Sequence, residues 1–548
     1  MESQFWTLEA QCACVVLATL IEARRIAIGR STLAAGCVLA IAASILTARV
    51  PPRTNRIFYD EQIYQGVARN MTDLHRAQMC NDGIVEYGRL ECRRAEYNKE
   101  PYGYPYLLSI AYRIAGTSET AAFRFNNVVA GLAVLVTVLL AELLFHDPRV
   151  SLLSGLALAL FPMQLQWANS AASEPVAVLF CAAALLAVVH FARARTTSAL
   201  VWAVTLTAFA VTMRAECMLV VPLAGVTLLL LAPEEFRRRR LWVGALGGLA
   251  LLSMSLVHFA AVRGEGWGAS GAPMAWAHAA RNFRVNFWFF FWDQRFPTLC
   301  GVAAVVGLLD GADRVRERVL LLAYFLAFWL VFLFFYAGSY NYGADVRYSL
   351  MTYVPIAILA ALGLLRAVAA AAAALNRALP AWRAFAAAAA LVVVSFLWYA
   401  PLVRETGEEA WAARADVAAA RQFAARLPSN AVVLTHNPSM FHIWNVNAAQ
   451  MSSIGTNPHF AQAFFDRYAG GVYLHWNFWC NVSDPVQNDF CRKALNAFPH
   501  ELAAEYRERD YVYRFYRLQP ATPERPSREG GPPGVESETD RNLKGLIP

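Results

Sequence analysis

A few short stretches of this chain hold side chains suited to moving a proton or gripping an anion. Asp60 and Glu61 form an adjacent carboxylate pair after Phe58-Tyr59, and Glu174 closes the polar stretch that begins at Gln166. A carboxylate held near a hydroxyl can act as a general base. Arg214 and Glu216 lie in Thr212-Met213-Arg214-Ala215-Glu216, and Arg347-Tyr348 follows Asp345. A guanidinium beside aromatic rings is fitted to phosphate oxygens, which it meets with paired N–H donors. The segment Glu100-Pro101-Tyr102-Gly103-Tyr104-Pro105-Tyr106 and the unbroken aromatic run Phe287 to Trp292 complete the set. Each stretch also has an uneventful reading. Asp60 and Glu61 suit the start of a solvated helix, and Glu174 before Pro175 suits a helix N-terminus. Arg214 can pair with Glu216, and Arg347 with Asp345, for structure alone. The aromatic run fits an interfacial belt or the mouth of a groove for a long apolar chain.

The elements that must position these residues are set by composition. Of 548 residues, 57% are hydrophobic and 16% charged, against roughly 45–50% and about 25% in soluble proteins. An ordinary soluble enzyme is excluded, and long apolar runs point to a polytopic membrane protein. The formal charge of +8 comes from 45 Arg and three Lys (Lys99, Lys493, Lys544) scattered through connections, without the basic stripe of a nucleic-acid binder. Stretches near 20 residues predict eleven spans, at about 26–48, 121–145, 150–168, 175–192, 198–213, 217–233, 241–260, 298–312, 319–337, 349–365 and 384–400. With the start of span one cytoplasmic, every inside connection carries Arg: Arg24, Arg25 and Arg30, then Arg149, Arg193 and Arg195, Arg237 to Arg240, Arg314 to Arg318, and Arg366 to Arg383. The short outside connections 169–174, 214–216 and 338–348 offer only Arg214 and Arg347, the asymmetry of the positive-inside rule, with 261–297 an exception. The expected location is the cell (inner) membrane.

Residues 1–25 are read as an interfacial segment, because Glu9 and Gln11 interrupt its apolar run Phe5 to Ile21; a twelfth span is the alternative. The transmembrane domain covers 26–400, with a large first outer loop at 50–120. Residues 401–519 change character, with a strand-like run Ala431 to Leu434 and a last one from Tyr511 to Tyr516, and predict a small extracytoplasmic α/β domain. From 520 to 548 Pro, Gly and charge dominate without apolar periodicity, which predicts a disordered tail. Four of the ten cysteines lie in the two outside regions. Cys80 with Cys92 and Cys480 with Cys491 are expected to form local disulfides; four free thiols is the other reading. No zinc-type spacing is visible among Cys and His.

The order of these motifs resembles a family. An Asp-Glu pair opening a long first outer loop, a Pro- and Tyr-containing stretch before the second span, an acid after the third, Thr-x-Arg-x-Glu and a late Arg-Tyr together look like the GT-C membrane glycosyltransferases. The similar branch is that of protein O-mannosyltransferases and lipid A aminoarabinose transferases, over about 25–400. The resemblance implies an enzyme that moves a sugar from a polyprenyl-phosphate carrier to a protein, lipid or glycan acceptor on the outer face. It implies that Asp60 is the catalytic or acceptor-orienting carboxylate, with Glu61 in support. Glu174, Arg214, Glu216, Arg347, Tyr348 and Tyr104 would contact substrate, with Arg347 on the carrier phosphate. Glu174 would complete the acidic cluster or join Asp60 in a divalent metal site; no cofactor is otherwise implied. Where relatives commonly show His-Pro-Pro or Glu-Lys-Pro-Pro, this chain has Gly103-Tyr104-Pro105, with Lys99 and Glu100 upstream. The rival from another class is a transporter or flippase of envelope precursors, with Arg214 and Glu216 marking a pathway. Such folds usually show inverted repeats or paired broken spans, which this sequence lacks.

Overall fold

The structure, a computed structural model, describes residues 1–264, 272–311, 313–341, 343–376, 379–452, 458–482 and 485–520. The tail expected over 520–548 therefore lies almost wholly outside the described residues. Among those described, eight helices are long and apolar enough to cross a bilayer, and the bent pair Pro148–Leu160 and Pro162–Ala168 makes a ninth if taken as one span. Thr197–Val211, Ala215–Leu231 and Thr298–Leu309 are shorter apolar helices. Among the described residues, each apolar stretch expected from the sequence falls mainly on one of these elements.

The N-terminal segment forms a helix long and apolar enough to cross a bilayer, the alternative weighed for it. Glu2–Ala23 is one 22-residue helix, about 33 Å long at 1.5 Å per residue, and its ends touch opposite faces of the molecule. Glu2 pairs with Arg76 at 2.8 Å, and Glu22 meets His190 at 3.0 Å. The polar residues that argued for an interfacial helix have partners. Glu9 accepts a hydrogen bond from the Tyr106 hydroxyl at 3.1 Å, and the Gln11 amide donates to the Leu251 carbonyl at 2.6 Å. A satisfied polar group is tolerated within a membrane domain.

Burial sorts the helices. Glu174–Ala194 is enclosed along nearly its whole length, whereas Arg239–Ala261 turns Trp242, Leu246 and Val257 outward as a lipid-facing element does. Pro162 ends the Pro148–Leu160 helix because it has no N–H and crowds the preceding turn, and the chain leaves at 61°. That bend delivers Gln166 and the turn 169–174 to one face. Asn126 donates to the Ser170 and Ala172 carbonyls at 2.7 and 2.8 Å, and Asn127 to Ala168 at 2.9 Å, which fixes the turn. The opposite face collects the basic connections: Arg193 lies 3.9 Å from Glu317, Arg195 pairs with Glu234, and Arg240 pairs with Glu235 at 2.8 Å.

A seven-stranded mixed sheet caps the first face. Its strands are β1 (Met79–Glu86), β2 (Arg89–Glu96), β3 (Val432–Thr435), β4 (Asn447–Gln450), β5 (Val472–Trp476), β6 (His500–Glu508) and β7 (Tyr511–Leu518). The order is β2-β1-β4-β3-β5-β7-β6. Strand β3 is buried throughout and runs parallel to both neighbours, as a largely apolar central strand should. The expected strand-like runs are β3 and β7. The hairpin β1–β2 was not anticipated as part of this sheet; it comes from the first loop and joins β4 through Asp82↔Ala449 and Gly83↔Ala448. The α/β unit is thus built from two distant parts of the chain. Cys80 is joined to Cys92 across the hairpin, and Cys480 to Cys491 between Phe478–Asn481 and Pro485–Asn496, each with Cα atoms 5.7 Å apart.

Candidate active site

The site lies where the bent span, the first loop and the 3-10 segment Gly343–Thr352 meet beneath the sheet. Glu174, fully buried at the start of its helix, receives two guanidiniums on one oxygen: Arg214 Nη1 at 2.9 Å and Arg347 Nε at 2.9 Å. Both contacts are ion pairs without hydrogen-bond alignment, and among the described residues neither Glu174 oxygen accepts a hydrogen bond. Arg214 also holds Glu216 at 2.5 Å and donates to Ser173 Oγ at 2.7 Å. Arg347 donates to Asp345 at 3.2 Å and to the Tyr348 hydroxyl at 2.9 Å. The Tyr348 ring carries the Arg347 guanidinium 4.5 Å from its centroid and stacks on Phe332 at 4.3 Å. Three carboxylates therefore share two guanidiniums in a nearly closed setting. Such a network tolerates burial because each charge has a counter-charge.

Why Arg214 reaches this place is visible at Gly103. Its N–H donates to the Thr212 carbonyl at 2.7 Å, and a Cβ there would stand 2.6 Å from that oxygen. Only glycine lets the first loop approach the 212–216 segment so closely.

Asp60 and Glu61 are adjacent in sequence and opposite in fate. Glu61 is fully buried, and its carboxylate accepts backbone N–H donors from Arg56 (2.5 Å), Ile57 (3.0 Å) and Ala171 (2.7 Å). Burial pushes it up to about 7, opposed by those three donors. Through these three donors it ties the first loop to the 169–174 turn. Asp60 is partly exposed on the first turn of the helix Asp60–Leu74. Among the described residues no hydrogen bond or ion pair engages its carboxylate. Its electrostatic neighbours are Glu100, Tyr64, Tyr336 and Asp345. Glu100 in turn feels Arg214, Glu216 and Lys99, and burial pushes it up to about 7. The structure so brings Asp60 and Glu100 to the rim of the Glu174 cluster.

Residues 99–258 match the family model described as dolichyl-phosphate-mannose-protein mannosyltransferase. The structure is similar to ArnT from Cupriavidus metallidurans bound to undecaprenyl phosphate, with a TM-score of 0.57 at 14% identity over 88% of this chain and 97% of that one. It is similar to the apo state of the same protein with a TM-score of 0.56 at 13% identity and the same coverage. No curated protein matches the sequence. The fold is that of the GT-C membrane glycosyltransferases. The matched stretch 99–258 contains Glu100, Tyr104, Glu174, Arg214 and Glu216.

Within this GT-C fold, two expected roles do not suit the geometry. Tyr104 is fully buried, its hydroxyl spent on the Ala171 carbonyl at 2.8 Å and its ring set edge-on to Tyr64. It supports the turn and offers no surface to a substrate. Glu174 is a poor seat for a divalent ion, because its Oε1 already meets two guanidiniums that would repel one. The metal-ligand cluster found among the described residues, His436 with Cys480 and Cys491, has both thiols consumed in a disulfide. Arg56, Asp345 and Glu100 take larger parts than the sequence suggested. Arg56 has no distinctive motif, and only its five-residue distance from Glu61 hinted at the backbone contact.

Proposed function

We propose that this protein is a glycosyltransferase that moves a sugar from a polyprenyl-phosphate carrier to a protein, lipid or glycan hydroxyl at the outer face of the cell (inner) membrane. The observation that carries the reading is the contrast within one site: a partly exposed Asp60, whose carboxylate meets no counter-ion among the described residues, beside a buried pair of guanidiniums. Displacement at the anomeric carbon needs those two features. The acceptor oxygen forms the new bond, Asp60 takes its proton, and the bond from the anomeric carbon to the phosphate oxygen breaks. The carrier phosphate departs with the electron pair, and Arg347 and Arg214 stabilise its charge. Arg347 is held by Asp345, Tyr348 and Glu174, so a bound phosphate competes with Asp345 for the guanidinium edge.

The basic face with Arg193, Arg195 and Arg240 is then cytoplasmic by the positive-inside rule, and the face with Asp60 and the sheet extracytoplasmic. We take 26–400 as the membrane domain, joined by the helix Glu2–Ala23, and 401–519 as a unit completed by 79–96.

The test is turnover by reconstituted protein on a panel of undecaprenyl-phosphate-linked hexoses and pentoses, read as released undecaprenyl phosphate. Asp60→Asn should lower turnover about 10²- to 10⁴-fold, equivalent to roughly 3–5 kcal/mol of barrier, with Tm unchanged. An Asp60→Asn protein that keeps more than about a tenth of wild-type turnover sinks the base role.

A further inference from the structure

The residue before Asp60 is anchored in an unexpected place. Tyr59 is buried at the N-cap of the helix Asp60–Leu74, and its hydroxyl donates to Asp416 Oδ2 on the helix Trp411–Ala424. Asp416 is fully buried. Its Oδ1 meets His475 Nε2 of β5 at 2.8 Å, and the Phe478 N–H donates to Oδ2 at 3.2 Å. His475 Nδ1 lies 3.1 Å from Thr435 Oγ1 of β3. Hydroxyl, imidazole and carboxylate in that order resemble the relay of a hydrolase. No substrate reaches it, however: Thr435 and His475 are each 1% exposed, and the His475 ring is stacked on Phe515 at 4.6 Å with Phe441 across its edge. The open end of the relay is the Tyr59 phenol, one residue from Asp60.

A second tie runs in parallel. Arg56 is fully buried and donates from Nε to the Gln166 carbonyl at 3.0 Å and from Nη1 to the Thr406 carbonyl at 3.1 Å, and it ion-pairs with Glu409. Segment 56–61 is thereby held from below by Gln166 and Ala171 and from above by Thr406, Glu409 and Asp416.

We propose that Asp416 and Tyr59 are positioning residues for transfer: the sheet unit, through the Thr435–His475–Asp416–Tyr59 relay, sets where the Asp60 carboxylate points. The inference rests on the glycosyltransferase reading. Its physical basis is reach. Tyr59 supplies the last non-helical backbone angles (φ −106°, ψ 1°) before the helix begins, so freeing its phenol lets the first turn re-aim. A misplacement of about 1 Å at a reacting group lowers rate by up to ~10²-fold.

The experiment uses the full chain in lipid nanodiscs, with Tyr59→Phe, Asp416→Asn and the double variant. Tyr59→Phe keeps the ring and removes only the hydroxyl, so it remains informative where Asp416→Asn fails to fold. With the undecaprenyl-phosphate-linked sugar that the panel identifies, each single variant should lose about 10- to 100-fold in kcat while donor KM moves less than about 3-fold. The double variant should be no worse than the poorer single one, because both remove the same contact. Without any substrate, amide exchange over 55–63 should quicken in both single variants while that of Glu174–Ala194 stays put. Unchanged exchange over 55–63, or kcat within about 2-fold of wild type, overturns the proposal. Faster exchange over 55–63 in the variants of a protein whose wild type turns over no donor of the panel would keep the mechanical coupling and reject the glycosyltransferase reading. Unchanged exchange with an inactive Asp60→Asn would do the reverse.

Discussion

The two faces of the membrane domain carry similar chemistry and use it differently. On the basic face, Arg195 and Glu234 pair with both side chains about two-fifths exposed. On the opposite face, Arg214 and Arg347 pair with Glu174 at 6%, 10% and 0% exposure. A count of charges would treat the faces alike. Burial separates them, because exposed pairs are screened and replaceable by water whereas an enclosed charge that loses its partner has no substitute.

The sharpest way to break this contrast is Glu174→Ala. It leaves two enclosed guanidiniums without their shared carboxylate and should cost about 3–5 kcal/mol, read as a large fall in Tm or failure to yield folded protein. A variant with wild-type Tm would show that the cluster is wetter than its burial implies. Arg347→Lys keeps the charge and removes the planar fork that meets Asp345, Tyr348 and Glu174. It should weaken undecaprenyl phosphate binding by on the order of 1.5–3 kcal/mol, measured by titration into nanodiscs; unaltered affinity would reassign the phosphate to Arg214.

A smaller effect concerns pH. Glu100 rises from 4.5 to about 7 in the folded protein because burial disfavours its charge. Its folded value exceeds its unfolded one, so the stability linked to its proton is full below pH 4.5 and is lost as pH climbs through about 7. In the same range a new negative charge appears beside Asp60 and opposite an anionic donor. Donor KM should therefore rise as pH passes 7, and Glu100→Gln should flatten that rise. A profile identical in the variant would detach Glu100 from the site. The smallest effect belongs to the other face: Arg195→Ala should move stability by less than about 1 kcal/mol and leave turnover unchanged.

Much of the architecture was legible because apolar runs near 20 residues have few alternatives in lipid, and β3 and β7 because they are rich in β-branched and aromatic residues. The fit of Glu2–Ala23 was less legible, because polar residues inside an apolar run look like disqualifications until Tyr106 and Leu251 supply partners. The charged members Glu174, Arg214 and Arg347 were recognisable, since buried charge at a span boundary is rare without purpose. The difference between Asp60 and Glu61 was not. Both are carboxylates on one helical turn, and only the tertiary placement of Arg56, Ile57 and Ala171 amides decides which is enclosed. Tyr104 looked like a ligand residue for the same reason: its neighbour Ala171 is far away in sequence.

The hairpin β1–β2 has a consequence in time. Its free edge is satisfied by β4, with Val85 N–H also donating to Asn447 Oδ1 at 2.8 Å. A ribosome adding about 5–20 residues per second needs roughly 20–70 s to make the ~360 residues between them. Throughout that interval most of the membrane helices are being inserted while the hairpin waits with an unpaired strand edge, a standing invitation to wrong partners. The Cys80–Cys92 bond can close within the hairpin during the wait, so it would preserve the shape of the early piece until its late partner arrives. Assembly of this protein therefore finishes where its chain began, and synthesis of the last strands is the step that releases the first loop from risk.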